Sequence, residues 1–195
     1  MVNLSFGIGA MGANLPSALG SASQTLRVAA RILHSEPDIS ISALSRFWRT
    51  PAHPAGSGPD FCNAAFSFGT TLPADEVLAR FHAIEAQIGR DRSTGRWSAR
   101  VLDLDLIALE DRIAPDRDTL IRWIDLPPDR QTRESPDRLI LPHPRLQDRG
   151  FVLAPLAEIA PNWSHPLTGR SVAEMLRGLG PDGLAGMTPF SPAQP

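Results

Sequence analysis

Val101-Leu102-Asp103-Leu104-Asp105-Leu106-Ile107 is the stretch on which the fold turns. Strand side chains alternate between faces, so Leu102, Leu104 and Leu106 point one way, and Asp103 and Asp105 the other, about 7 Å apart along the strand. The leucine face packs on helices; the aspartates share the opposite face.

Working outward from this strand, a series of elements appears. Val2 to Met11 is short, apolar and glycine-rich, a strand entering a turn at Gly12-Ala13-Asn14. Pro16 suits the first turn of a helix whose stripe is Leu19, Ala22, Leu26, Ala29, Ala30 and Leu33. Ile39, Ile41 and Ala43 alternate with serines in a strand that ends at Thr50-Pro51, and a Pro/Gly loop covers residues 52–59. Cys62, Ala64, Phe66 and Phe68 alternate in a third strand. Pro73 with Asp75 and Glu76 opens a second helix, striped by Val77, Leu78, Phe81, Ile84 and Ile88 up to Gly89. An arginine-rich loop, residues 90–100, then leads into the acidic strand. The order strand, helix, strand, strand, helix, strand predicts an α+β protein: a ferredoxin-like antiparallel sheet with helices packed on one face.

Beyond it, residues 114–137 are charged and proline-containing and read as a surface insertion, either a lid or disordered. Leu139 to Leu141 reads as a short strand; Phe151 to Glu158 and Val172 to Leu179 read as short helices. Together these form a C-terminal strand and helix extension. Residues 180–195 read as a frayed, flexible Gly/Pro-rich tail. The expectation is one catalytic domain over residues 1–195.

Composition narrows the chemistry. The chain has 195 residues, 19 basic and 21 acidic, with a formal net charge of -2. All the basic residues are arginine, and lysine and tyrosine are absent. A Walker A lysine, a Schiff-base lysine and a catalytic tyrosine are therefore excluded, and any phosphate is handled by arginine, helix termini or metal. Interspersed charge near neutrality gives no support for a nucleic-acid or membrane partner. The single Cys62 permits no internal disulfide and favours a reducing compartment. With no 18-residue apolar run and no signal-like leader, a cytoplasmic protein is expected.

Two carboxylates on a rigid strand suit a hard cation such as Mg²⁺, which takes one or two carboxylates plus substrate phosphates. The same aspartates on a solvated face paired with arginines are the plainer alternative. Gly89-Arg90-Asp91-Arg92 and Arg96-Trp97-Ser98-Ala99-Arg100 stand immediately before them, and guanidinium forks match phosphate oxygens bidentately. Ordinary surface ion pairs with Asp91 or Glu85 are the alternative for these arginines.

Arg100-x-x-Asp103-Leu104-Asp105-Leu106-Ile107, preceded by Gly89-Arg90 and Arg96-Trp97, resembles the signature of the 6-hydroxymethyl-7,8-dihydropterin pyrophosphokinase family of the folate pathway. Three more blocks agree in order. They are Ala10-Met11-Gly12-Ala13-Asn14-Leu15; Phe47-Trp48-Arg49-Thr50-Pro51 with Pro59-Asp60-Phe61-Cys62-Asn63-Ala64-Ala65; and Leu141-Pro142-His143-Pro144-Arg145 with Arg149-Gly150-Phe151.

The resemblance implies that a pterin 6-hydroxymethyl oxygen attacks the β-phosphorus of ATP, a diphosphoryl group is transferred, and AMP leaves. It implies two Mg²⁺ ions on Asp103 and Asp105, with Arg90 and Arg100 completing the catalytic set. Around ATP it places Glu85, Arg90, Arg92, Trp97, Arg100, Arg138, His143 and Arg149, with Leu106 offering backbone contacts to adenine. Trp97 would belong to a mobile loop that closes the site and excludes water. Phe61 and Phe151 would sandwich the pterin, while Asn63, with backbone groups around Thr50, Pro51 and His53, reads its amide edge. A monomer is implied as well.

The residues read on their own agree in part. Phe61 and Asn63 are two apart on a strand and share a face, with Cys62 turned to the core. Alone, Phe61 would also suit a core residue, and His143 a histidine fixed between prolines; His34, His82 and His165 read as structural or solvated. The chain departs from the family at Ala13, Ser98, Ile140 and Pro144, and the 114–137 insertion exceeds the compact family pattern. None of these is a metal ligand.

Two other classes compete. Gly7-Ile8-Gly9-Ala10-Met11-Gly12 fits G-x-G-x-x-G after a strand, as in dinucleotide-binding oxidoreductases. That fingerprint requires a helix opening within the glycines and a helical crossover between later strands, whereas the loop at 52–59 is too short for one. A non-catalytic ferredoxin-like binding module would leave Arg90, Trp97, Arg100, Asp103 and Asp105 as coincidence.

Overall fold

A computed structural model describes residues 3–52, 56, 58–90, 100–131 and 133–190. β1 (Ser5–Ala13) runs through the middle of the sheet, antiparallel to β4 (Phe61–Thr70) on one side and to β5 (Asp103–Leu109) on the other. Along the far edge of β4 lie β2 (Ile39–Leu44) and β3 (Trp48–Thr50), and β6 (Thr188–Pro189) adds to β3. The order β5-β1-β4-β3-β6, with β2 also beside β4, is the antiparallel ferredoxin-like arrangement that the element series predicts.

Helix α1 (Ala22–Ser35) contributes Leu26, Ala29 and Leu33 to one face of the sheet, and α2 (Ala74–Ile88) contributes Val77, Phe81 and Ile84. They bury Met11, Phe66, Phe68, Leu104 and Leu106, so the leucine face of the acidic strand packs on helices as expected. The opposite face is covered as well. α5 (Gly150–Ile159) and α6 (Val172–Gly178) bring Val152, Leu153, Leu156, Val172 and Met175 onto Ile8, Ala10, Ala65 and Ile107. Helices thus lie on both faces rather than one. The reason is legible in β1 and β4, which are buried at nearly every consecutive position, the pattern of strands covered on both sides.

Several boundaries differ from the sequence reading. The first helix starts at Ala22, not near Pro16, because Ser21 and Gln24 form a reciprocal capping box. The strand expected over 39–50 is broken: Ser45 Oγ accepts from Ala65 N at 2.9 Å in place of a backbone partner, and Arg46 N donates to Glu158 of α5. Of residues 139–141, only Leu141 pairs, in a bridge to Ala114.

The 114–137 segment is neither a bare excursion nor without structure. It carries α3 (Arg117–Ile124), capped by Asp116 accepting from Thr119 N at 2.8 Å, and α4 (Pro128–Gln131). Pro115, Pro127 and Pro128 stand at helix starts, where a missing N–H costs nothing. Nor is the tail free up to residue 190. β6 pairs with β3, and the Phe190 ring lies 5.8 Å beneath the Arg49 guanidinium.

The fold also removes the dinucleotide reading. Gly7, Gly9 and Gly12 all lie inside β1, paired on both sides, and none opens a helix. Among the described residues no helix is long and apolar enough to cross a membrane.

Candidate active site

The sheet register sets the site. Gly12 of β1 pairs with Asp103 on one side and Asn63 on the other; one step along, Ala10 pairs with Asp105 and Ala65. Residues two apart share a face, so Asp103, Asp105, Phe61 and Asn63 all project from one side of the sheet. On the reverse side of β4, Cys62 is buried, and burial pushes its thiol up to about 12, so it is no nucleophile.

Gly89 ends α2 in a left-handed conformation at φ 103°, and this turn delivers Arg90 to the acidic strand. Arg90 Nη1 donates to Asp103 Oδ1 at 2.5 Å and also pairs with Glu85. Arg100 pairs with the second Asp103 oxygen. The Glu85 side chain, 1% exposed, accepts in addition from the backbone N–H of Leu104 at 2.7 Å, which ties α2 to β5. Burial works against the charge on Arg90, but Asp103, Glu85 and Asp105 outweigh it and hold the guanidinium above its usual pKa.

Asp105 meets a second cluster. Arg149 Nη1 lies 3.6 Å from its Oδ2 and 3.4 Å from His143 Nε2. His143 is held by its N–H to Ile107 O at 2.8 Å, and its Nδ1 accepts from Arg145 N at 3.0 Å. Burial, then the positive charges of Arg149 and Arg145, drive His143 well below its ordinary pKa. The neutral ring with Nδ1 accepting carries its proton on Nε2, so His143 and Arg149 present donors side by side, an arrangement suited to an anion.

Across β1, Asn63 Nδ2 donates to Thr50 Oγ1 at 2.7 Å, and its carbonyl oxygen lies over Gly12, where a Cβ would stand 2.4 Å away. Only glycine admits this close approach. Phe151 packs on the α5–α6 cluster under Arg149, whose guanidinium is 5.5 Å from the ring centre.

The structure therefore brings together Glu85, Arg90, Arg100 and Asp103; Asp105, His143 and Arg149; and Thr50 with Asn63. Leu106 has its side chain in the core, leaving its backbone for any ligand. Pro51 is exposed and abuts Gly186. Arg138 is not drawn into the carboxylate cluster: it is exposed, 3.3 Å from Asp137. His53, Arg92 and Trp97 lie outside the described residues. Sequence reasoning missed two positioning residues, Gly12 and Asn14, although both stand in a quoted block. Asn14 Oδ1 accepts from Arg100 N at 2.7 Å while its Nδ2 donates to Pro59 O at 3.2 Å, joining the loops on either side of the site.

As a metal centre, the site offers two carboxylates, 21% and 35% exposed, on one strand face. Among the described residues no group of three or more His, Cys, Asp or Glu side chains is placed to hold an ion. Two part-exposed carboxylates suit a hard cation such as Mg²⁺, which completes its shell with water or phosphate oxygens, rather than a caged metal.

Comparison with known proteins identifies the family. The sequence model of the family described as 7,8-dihydro-6-hydroxymethylpterin-pyrophosphokinase matches residues 8–161. A 2-amino-4-hydroxy-6-hydroxymethyldihydropteridine pyrophosphokinase from Methylorubrum extorquens is 34% identical over 170 residues, 87% of this chain and 93% of the relative. One of the same description from Synechocystis is 36% identical over 118 residues, 60% of this chain and 50% of the relative, so the match spans half of that protein's length. The crystal structure of Plasmodium falciparum HPPK-DHPS superposes on 90% of this chain and 41% of its own with a TM-score of 0.63 at 12% identity, a likeness of fold alone.

Proposed function

The chain belongs to the 7,8-dihydro-6-hydroxymethylpterin-pyrophosphokinase family, and on that premise we propose that it transfers a diphosphoryl group from ATP to the 6-hydroxymethyl oxygen of a 7,8-dihydropterin, releasing AMP. The observation that supports this most strongly is one sheet face on which Asp103 and Asp105, ringed by Arg90, Arg100 and Arg149, stand two strands from Asn63.

Two strand spacings are about 10 Å, a span that a bicyclic pterin with its one-carbon arm covers. Asn63 offers both a carbonyl and an amide to the pyrimidinone edge of such a ring, with its orientation fixed by Thr50. Phe61 and Phe151 supply the stacking faces, and Pro51 and the neighbouring backbone border the edge. The hydroxymethyl arm then points toward the row of Asp103.

Asp103 and Asp105 would hold Mg²⁺, two ions in this reading, and bound metal would neutralise the phosphates and lower the cost of the hydroxyl's attack. Arg90 and Arg100 sit on Asp103; with nucleotide bound their charge would turn to phosphate oxygens. Glu85 is enclosed, so it serves ATP by positioning Arg90 and the Leu104 backbone rather than by contact. His143 and Arg149 donate to the nucleotide from the other side of Asp105. The O–P bond to the β-phosphorus forms as the α,β-bridging bond breaks and the hydroxyl proton is released. Fixed charges placed in advance supply most of the rate for such a transfer.

Incubating the protein with ATP, Mg²⁺ and 6-hydroxymethyl-7,8-dihydropterin and separating the nucleotides tests the proposal. AMP formed only when pterin is present is expected; ADP, or no turnover by folded protein, refutes it.

A further inference from the structure

Residues 114–137 have no role in the reaction just described, yet with Arg138 and Ile140 they line a half-open pocket of about 310 Å³, near the lower bound of the range typical of small-ligand sites. Its lining includes Arg122 and Trp123 of α3 together with Asp137, Arg138 and Ile140. Its walls are anchored. Leu120 of α3 is fully buried, Arg145 Nη1 donates to Ile124 O at 3.1 Å, and Ala114 and Leu141 exchange backbone hydrogen bonds of 2.9 and 3.0 Å.

The same segment that lines the cavity runs on into the carboxylate cluster. Ile140 is three residues from His143, at most about 11 Å of chain, and His143 is in contact with Arg149 beside Asp105. The lining has the chemistry of a nucleoside site. Trp123 is part-exposed and offers a flat indole, and Ile140, 4% exposed, offers an apolar face. Two guanidiniums line it as well, Arg122 and Arg138, the second 3.3 Å from Asp137, and they suit ribose or phosphate oxygens.

We propose that α3 is the outer wall of the nucleotide pocket, with Trp123 as a stacking face for the base and Arg122 as a cation beside it. The proposal rests on the pyrophosphokinase reading and gives the insertion a substrate-binding function. It also accounts for a site in which Ile140 has no side-chain hydrogen bond to offer the base: affinity comes instead from stacking.

Calorimetric titration with α,β-methylene-ATP and Mg²⁺, alongside inorganic tripolyphosphate as a probe without a base, tests it in wild type, Trp123→Ala, Trp123→Phe and Arg122→Ala. Trp123→Ala is expected to weaken the analogue roughly tenfold while leaving tripolyphosphate, the pterin KM and the melting temperature unchanged. Trp123→Phe is expected to restore most of the affinity, and Arg122→Ala to weaken the analogue by a smaller factor. Analogue affinity unchanged in both Trp123→Ala and Arg122→Ala, or an equal loss for tripolyphosphate in Trp123→Ala, overturns the wall. Failure of the wild type to bind the analogue at all overturns the pyrophosphokinase reading instead.

Discussion

Replacing Gly12 by alanine places a methyl group where the Asn63 amide lies. The added Cβ would stand 2.4 Å from Asn63 Oδ1 and 3.8 Å from Phe61 Cδ1; the second is an ordinary contact, the first about 1 Å too short. The backbone is no obstacle, since Gly12 is in an extended strand. There the loss of unfolded-state entropy would favour alanine by about 0.4–1 kcal/mol. Sterics decide the sign. Asn63 is 8% exposed and is bonded to Thr50 at 2.7 Å, so swinging its amide aside breaks that bond within the protein. Stranding a buried amide costs about 1–3 kcal/mol, which exceeds the entropic gain. The assay is a double-mutant cycle by urea denaturation. Gly12→Ala should destabilise the wild type by about 1–2 kcal/mol and be neutral or stabilising in an Asn63→Ala background, because the obstacle is gone. The same substitution should weaken pterin binding about tenfold or more, leaving the ATP analogue unaffected. An equal cost in both backgrounds, or unchanged pterin affinity, would mean that Asn63 does not set the requirement for glycine at position 12.

Asp105→Asn should lower kcat by about a hundredfold or more and leave the melting temperature nearly unchanged, since its contact with Arg149 is long and part-exposed; full activity would remove the metal assignment. Glu85→Ala should cost about 1–3 kcal/mol in chemical denaturation by stranding the Leu104 N–H and leaving Arg90 with Asp103 alone, and Glu85→Gln should recover part of this because an amide oxygen still accepts from Leu104; a cost under about 1 kcal/mol for the alanine variant contradicts the network. Burial holds His165 below its ordinary value of 6.5, and its Nε2 lacks a partner among the described residues. The unfolded chain therefore binds the proton more tightly, and this contribution to stability is complete above the ordinary value and is lost as pH falls through the folded one. His165→Asn should accordingly close the gap to wild type as pH is lowered from about 7.5 to about 5.5, and a pH-independent difference in melting temperature would count against it.

The sheet was readable because its signals are local. Leucine–aspartate alternation at 102–106 and Pro73 with Gly89 around α2 state strand and helix limits directly. The pairing Asp103–Gly12–Asn63 was not, because it depends on register across three strands, and the importance of Gly12 appears only once Asn63 lies over it. Glu85 was associated with ATP through family resemblance; that it works from inside the fold follows from its burial behind Arg90, which no linear pattern contains. The helices of the insertion were missed for a different reason. The charged, proline-containing stretch hid them, although Asp116 before Thr119 and the apolar Leu120 mark a capped helix with one buried residue. Ser21 and Gln24 were a similar overlooked signal for α1, outcompeted by Pro16.

Diphosphoryl transfer requires that the β-phosphorus of ATP end on the pterin. Supplying ATP radiolabelled at that phosphorus, with Mg²⁺ and 6-hydroxymethyl-7,8-dihydropterin, and separating nucleotide from pterin products measures this directly. Label is expected in the pterin diphosphate and none in the AMP; label retained in ADP rules out diphosphoryl transfer.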